Sequence, residues 1–329
     1  MNRRKFMAGV LSALPMIALS RNKGNEQAET TTFKYISDEF NTSIYIETMQ
    51  APFKVLHISD AHISLNSYDD QKYYEYSNRM YNAYVRTKHY KNGNLTTPFN
   101  CFTELLKMAE NKQFDLLVLT GDIINYPSKD DVAAITDALG KCGVPYKYIA
   151  GNHDWHYEGM SESLEELRSI WIEKSLLPLY QGANPLYSNL VAGGVNHVFI
   201  DNSIYQILPE QLEFFKAQLA GKNPVALYVH IPIYAPGIKS IWYCGNPDWN
   251  AENDTIYTIE RREQWPVEGN SKTTLNFIET IYTAGNLAGV FSGHMHHYTH
   301  IKYKGMNQYL ALPAYDGRYR SIEFLPSMG

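Results

Sequence analysis

Short apolar runs that end in small or polar residues recur along the chain, and longer amphipathic stretches separate them. Residues 53–59, 114–120, 146–150, 225–229 and 287–291 have the length and β-branched or aromatic content of buried strands. Helical spacing of apolar positions falls between them, at 102–108, 130–139, 161–171, 209–219 and 273–282. Ser161 reads as the opening cap of the third of these helices, and Pro209 stands early in the fourth, where helix starts tolerate it. The pairs 186–190 with 195–200 and 299–303 with 308–312 read as hairpins, 43–48 as a first strand and 321–325 as a closing strand. Strands alternating with helices predict an α/β fold whose site gathers at the carboxyl ends of the strands.

Two segments break this rhythm. Residues 64–99 are rich in tyrosine, and 233–272 hold Trp242, Trp249 and Trp265; both exceed an ordinary connection and read as insertions into one domain spanning 51–329. Their rings either line a substrate mouth or pack the loops onto the core. Residues 21–50 read as a polar linker carrying the first strand. Before them, a basic start (Arg3, Arg4, Lys5) and an apolar stretch ending near Leu19 have the layout of a signal peptide over 1–20, of either the twin-arginine or the general type. That stretch is shorter than the roughly 20 residues of a spanning helix. The expectation is a bacterial protein exported to the periplasm or beyond, with no transmembrane anchor in its mature form.

Composition narrows the partners. Among 329 residues 19% are charged and the net charge is −5, so a nucleic-acid duplex held by a basic surface is not indicated. The three cysteines, Cys101, Cys142 and Cys244, lack metal spacing; one disulfide is allowed but not demanded.

The chemistry sits where the apolar runs stop. Asp60 and His62 follow the first run, Asp122 the second, Asn152, His153 and Asp154 the third, His230 the fourth, and His294 and His296 the last. In an extended segment residues two apart project to one side, so Asp60 with His62 and His294 with His296 are candidate ligand pairs. The last pair alone fits packing as well as metal binding. Together, Asp60, His62, Asp122, Asn152, His230, His294 and His296 supply oxygen and nitrogen ligands for two divalent cations, and Mn, Fe, Zn and Co all suit such a mixed set. His57 reads as a packed strand residue and Asp201 as a turn residue. His156, His297 and His300 fit either a supporting or a surface role, and Tyr315, Asp316 and Arg318 are candidates for the cleft border.

The motifs Asp60-Ala61-His62, Gly121-Asp122, Gly151-Asn152-His153-Asp154, His230 and Gly293-His294-Met295-His296, in this order, resemble the calcineurin-like metallophosphoesterases. The resemblance implies a four-layer αββα sandwich, two mixed sheets flanked by helices. It implies that Asp60, His62 and His296 bind one metal, that Asn152, His230 and His294 bind the other, and that Asp122 bridges them. His153 would contact the substrate phosphate or protonate the leaving oxygen, and Asp154 would orient His153 by accepting its other ring proton. The implied reaction is hydrolysis of a phosphate mono- or diester by a hydroxide shared between the metals, on a small-molecule, lipid or nucleotide ester. Purple acid phosphatases resemble this pattern less, because His62 stands where they have glycine and Asn125 where they have tyrosine. A non-catalytic binding or scaffold protein on the same fold is the alternative reading; relatives of that kind usually lose ligands, and none is lost here.

Overall fold

Neighbouring residues in the short strands divide between two cores, as the alternation of the pleat requires. In the strand β3 (Phe53–Ile58), Leu56 and Ile58 pack toward helices while Val55 packs toward the opposite side; in β6 (Leu116–Thr120), Leu117 and Leu119 go one way and Leu116 and Val118 the other. Both faces of these strands are therefore covered. The computed structural model describes residues 33–65 and 71–327.

One six-stranded sheet runs in the order β1 (Lys34–Ser37), β2 (Asn41–Ile46), β14 (Arg320–Pro326), β3, β6 and β7 (Tyr146–Ile149). The other runs β12 (Thr299–Tyr303), β13 (Met306–Leu310), β11 (Leu287–Ser292), β10 (Val225–Tyr228), β9 (Val195–Ile200) and β8 (Tyr187–Ala192). Each sheet is mixed: β3, β6 and β7 are parallel to one another, as are β9, β10, β11 and β13, and antiparallel strands close the ladders. Phe199, Tyr228, Phe291 and Tyr309 from the second sheet meet Val55, Val118, Ile322 and Phe324 from the first in a common inner core. Helices Pro98–Asn111 and Lys129–Cys142 cover the outer face of the first sheet, and Pro209–Leu219 and Lys272–Thr283 that of the second. This is the expected sandwich of two mixed sheets flanked by helices.

Two expectations about the elements need correction. Residues 21–50 are more than a linker with one strand: β1 and β2 are both integral to the first sheet, β2 pairing in parallel with β14 along its whole length. The helix expected from Ser161 begins at Leu164, because Ser163 and Glu166 close a reciprocal capping box there, each accepting from the other's backbone N–H. It then continues through a π turn (Ile172–Leu176) to Tyr180. The tyrosine-rich insertion contains a helix, Tyr74–Tyr84, and a small ribbon, β4 (Thr87–Lys88) with β5 (Leu95–Thr96). The loop after β7 links the two insertions: Arg79 forks onto Glu158, and Gly159 donates its N–H to the Arg261 carbonyl, while Arg261 Nη1 itself lies 3.4 Å from the Glu75 carbonyl.

The three cysteines are free thiols, two of them buried. The export segment expected over 1–20 lies outside the described residues. Among the described residues no helix is long and apolar enough to cross a membrane.

Candidate metal centre

The parallel strands of both sheets end at one edge of the sandwich, and every candidate ligand follows such an end. Asp60 and His62 leave β3, Asp122 leaves β6, Asn152 leaves β7, His230 leaves β10, and His294 and His296 leave β11. Pairing between β3 and β6 persists past both strands, with Asp60 N–H on the Gly121 carbonyl (3.0 Å) and His62 N–H on that of Asp122 (2.8 Å). The edge is sewn across the sheets as well. His294 N–H donates to the Asp60 carboxylate at 3.0 Å, and His230 Nδ1 lies 2.7 Å from the Thr120 carbonyl.

Glycine is required where the chains come closest. A Cβ on Gly151 would collide with the Asp122 carboxylate, and one on Gly293 with Ser59 and Asp60. The turns themselves are strained. Asp60, His62, Asp122, His294 and His296 all hold positive φ, between 45° and 69°, as does Tyr205 at 65°. Such backbone costs roughly 1–3 kcal/mol per residue and persists where surrounding contacts over-determine it. This corrects the reading of the Asp60–His62 and His294–His296 pairs as extended. Left-handed turns, not strand alternation, bring each pair together.

The ligand atoms of Asp60, His62 and His296 lie within 4.8 Å of one another, and so do those of Asp122, His230 and His294. His153 makes a third such group with His62 and Asp122. Tautomers follow from the hydrogen bonds. A carbonyl only accepts, so His230 Nδ1 carries its proton toward Thr120, and Nε2, 3.2 Å from Asp122 Oδ2, is the ring position left for a second proton or a cation. His62 Nδ1 lies 3.1 Å from Asn125 Oδ1, whose own amide donates to the Met80 carbonyl. Its Nε2 therefore presents a lone pair 3.1 Å from His296 Nε2. Asn152 Oδ1 and His153 Nδ1 are also buried without a partner. Imidazole nitrogens and an amide oxygen converging on two buried carboxylates, with Asn152 Oδ1 and His153 Nδ1 left without partners, make a donor set that fits divalent metal binding.

The electrostatics agree. Burial would raise the Asp60 carboxyl, but the neighbouring His296 imidazole outweighs it and holds Asp60 at about 2; Asp122, beside His230 and His153, is likewise held well below the usual carboxylate range. Burial pushes His62 and His294 down to about 3, keeping both neutral, as metal ligands must be. For His230 burial also acts downward, yet the Asp122 carboxylate wins and raises it to about 9, so without a cation Nε2 takes up a proton beside Asp122, and a bound cation would replace that proton.

Several supporting contacts had no sequence signal. Asn202 accepts the N–H groups of His230 and Ile231 and donates to the Ile231 carbonyl, fixing that turn. The Tyr205 hydroxyl lies 2.8 Å from His294 Nε2, which leaves Nδ1 as the ring nitrogen available to a cation. Tyr84 stacks on His62 at 4.1 Å and 7°. Asn125, read from sequence only as a departure from the purple acid phosphatases, is what orients His62.

Asp154 does not orient His153. Its two oxygens accept backbone N–H groups from Ile124 (2.9 Å) and Gly151 (2.7 Å), and burial together with Asp122 raises its carboxyl to about 7. The physical reason is direction: the His153 ring turns edge-on to His62, whereas Asp154 turns inward to clamp the loops after β6 and β7. His57 is packed as expected, buried with Nε2 on Thr120 Oγ1, and Asp201 accepts from Ser203 and lies 3.4 Å from buried Arg168. His297 is exposed and bonds the Met295 carbonyl, and His300 stacks on Tyr309, so neither joins the centre. His156 and Tyr315 do approach it: His156 lines the recess beside the ligands, and the Tyr315 ring lies 5.5 Å from that of His296. Asp316 and Arg318 pair with each other.

A family model described as calcineurin-like phosphoesterase matches residues 53–298. The 3',5'-cyclic adenosine monophosphate phosphodiesterase of Haemophilus influenzae is 22% identical over 225 residues, which are 65% of this chain and 66% of that protein, just under two thirds of its length. A dimetal phosphatase from Danio rerio superposes with a TM-score of 0.52 at 10% identity, over 83% of this chain and 92% of the other, a likeness of fold.

Proposed function

Because this chain belongs to the calcineurin-like phosphoesterase family, whose work is metal-dependent hydrolysis of phosphate esters, we propose that its own centre is a pair of divalent cations held by Asp60, His62, Asp122, Asn152, His230, His294 and His296. The observation that carries this is the set of buried, unpartnered donor atoms, Asn152 Oδ1 and His230 Nε2, beside two buried carboxylates. When bound, two such cations supply an activated water near neutral pH and a clamp on the phosphoryl oxygens.

The remaining tasks belong to the protein. Asp60, His62 and His296 form one half of the cradle, Asn152, His230 and His294 the other, and Asp122 stands between them, facing His230 at 3.2 Å and His62 at 3.9 Å. Asp122 also accepts the His153 N–H at 2.8 Å, which ties the loop bearing His153 to the ligands. The His153 ring lies at the cavity, edge-on to His62 at 4.8 Å, where it can meet a phosphoryl oxygen or give a proton to the departing alkoxide. Asn125, Asn202 and Tyr205 hold His62, His230 and His294 in their orientations.

Replacing His153 by Asn is expected to lower turnover of an alkyl phosphate by about 10²–10⁴-fold, as loss of a general acid does. The loss should be smaller for a nitrophenyl ester, whose leaving group needs no proton, and metal content should be unchanged. Equal losses on both esters would reassign His153 to binding the phosphoryl group alone. The relative named as a cyclic-nucleotide phosphodiesterase supports including a cyclic diester beside monoesters in the substrate panel.

We further propose export through the segment 1–20, supported by its basic start and short apolar stretch. Sequencing the mature N-terminus after fractionation of the producing cells tests this; an intact Met1 in the cytosolic fraction would end the proposal.

A further inference from the structure

A recess of about 460 Å³ opens beside the ligands His294 and His296. Both insertions build its walls: Arg79 and Tyr84 come from the first, Trp242, Arg262 and Trp265 from the second. Among the described lining residues the two arginines are the permanent cations, and there is no lysine.

Both arginines are paired with carboxylates in the wall. Arg262 donates to both oxygens of buried Asp254, at 2.9 and 2.7 Å, and through Nε to Glu260 at 2.6 Å. Its guanidinium lies over the Trp265 ring at 5.0 Å, so it acts as a strut that holds this ring in the wall. Arg79 forks onto Glu158, whose side chain is only 5% exposed. Drawing Arg79 away would strand a buried carboxylate, a strongly unfavourable change. Away from the metal ligands, an anionic group entering the recess would thus meet Glu158 and Glu260 beside arginines already paired with carboxylates.

The walls are aromatic and rigid. Trp265 stacks on Trp249 at 4.9 Å and 26°, and half-buried Trp242 stands edge-on to Trp265 at 5.4 Å and 74°. Rings fixed in this way offer flat apolar surface at little entropic cost. We propose that the recess is a subsite for the organic part of the ester, selecting a planar, uncharged group and rejecting one that carries a second anionic charge. This rests on the phosphoesterase reading of the adjoining centre and adds its substrate class.

The test uses the free alcohols of candidate esters on the metal-loaded protein, in competition with nitrophenyl phosphate. Naphthol should compete, glycerol should not, and hydroxybenzoate, planar but anionic, should bind about tenfold more weakly than naphthol because like charges meet in the recess. Trp242→Ala should weaken naphthol by about tenfold, the scale of a lost stacking surface. Glu158→Gln, which leaves Arg79 unpaired, should narrow the gap between hydroxybenzoate and naphthol. Hydroxybenzoate binding as tightly as naphthol, or naphthol binding unaffected by Trp242→Ala, would overturn the proposal. Tryptophan fluorescence titrated with naphthol reads the recess directly, so failure of turnover remains distinguishable from failure of the subsite.

Discussion

Asp122→Ala is expected to lower hydrolysis of nitrophenyl phosphate by about 10³-fold or more, the scale of losing several kcal/mol of charge stabilisation at the reacting phosphoryl group. Among the described residues no other side chain stands in its place. Its carboxylate is the one that faces His62 and His230 while accepting the His153 N–H, so its removal disconnects both halves of the cradle and the loop that carries His153. Bound metal, measured by elemental analysis, should fall in parallel. Asp122→Asn keeps the shape and an acceptor for His153 N–H but removes the charge, and it should resemble Asp122→Ala in activity while folding normally by circular dichroism. Full activity in either variant, with metal content unchanged, would reject the site. Tight metal binding in the unaltered protein without turnover of any phosphate ester would instead favour a binding protein on the same fold.

Stripping the metal with a chelator is expected to abolish turnover and to lower the melting temperature by roughly 4 °C, the loss of about 2.7 kcal/mol that a ligand at a hundredfold excess over its dissociation constant contributes in a chain of this size. Restoring Mn, Fe, Zn or Co in turn should return both, and the rank of the metals identifies the preferred ion. The stripped protein should also depend on pH in a stated direction. His230 rises from 6.5 to about 9 beside Asp122, so its protonated form stabilises the metal-free fold fully below pH 6.5, and that contribution fades as pH climbs through 9. His62 and His294, held near 3 by burial, act at lower pH, where the unfolded chain takes up protons first. The gap in melting temperature between loaded and stripped protein should therefore widen from pH 6.5 to pH 9. A gap that shrinks over that window would contradict the pairing of His230 with Asp122.

The strands that carry the centre were legible because burial on both faces demands unbroken apolar runs, and because each run ends in a residue that no core accepts unpaired. His57 illustrates the limit of that rule. It lies inside such a run, and only its bond to Thr120 shows why an imidazole is tolerated there. Helix limits were less legible: Ser161 and Ser163 are equally good caps in isolation, and the reciprocal contact with Glu166 favours the second.

Side-chain partners across the fold were not legible at all. Tyr205 and His294 are 89 residues apart and Asn125 and His62 are 63 apart, so no local period or spacing could pair them. Asp154 shows the converse error. The family resemblance implied a contact with His153, but consecutive residues point in different directions, and the buried N–H groups of Ile124 and Gly151 claimed the carboxylate.

The sequence alone established an α/β chain with seven candidate ligands in an order that resembles the metallophosphoesterases, because strand periodicity and ligand chemistry are properties of short segments. Only the tertiary structure decided how those ligands are aimed. Backbone held at positive φ, tautomers fixed by Thr120 and Asn125, and arginines spent on Glu158 and Asp254 all arise from contacts between distant segments, and such contacts exist only once the two sheets have closed on one another.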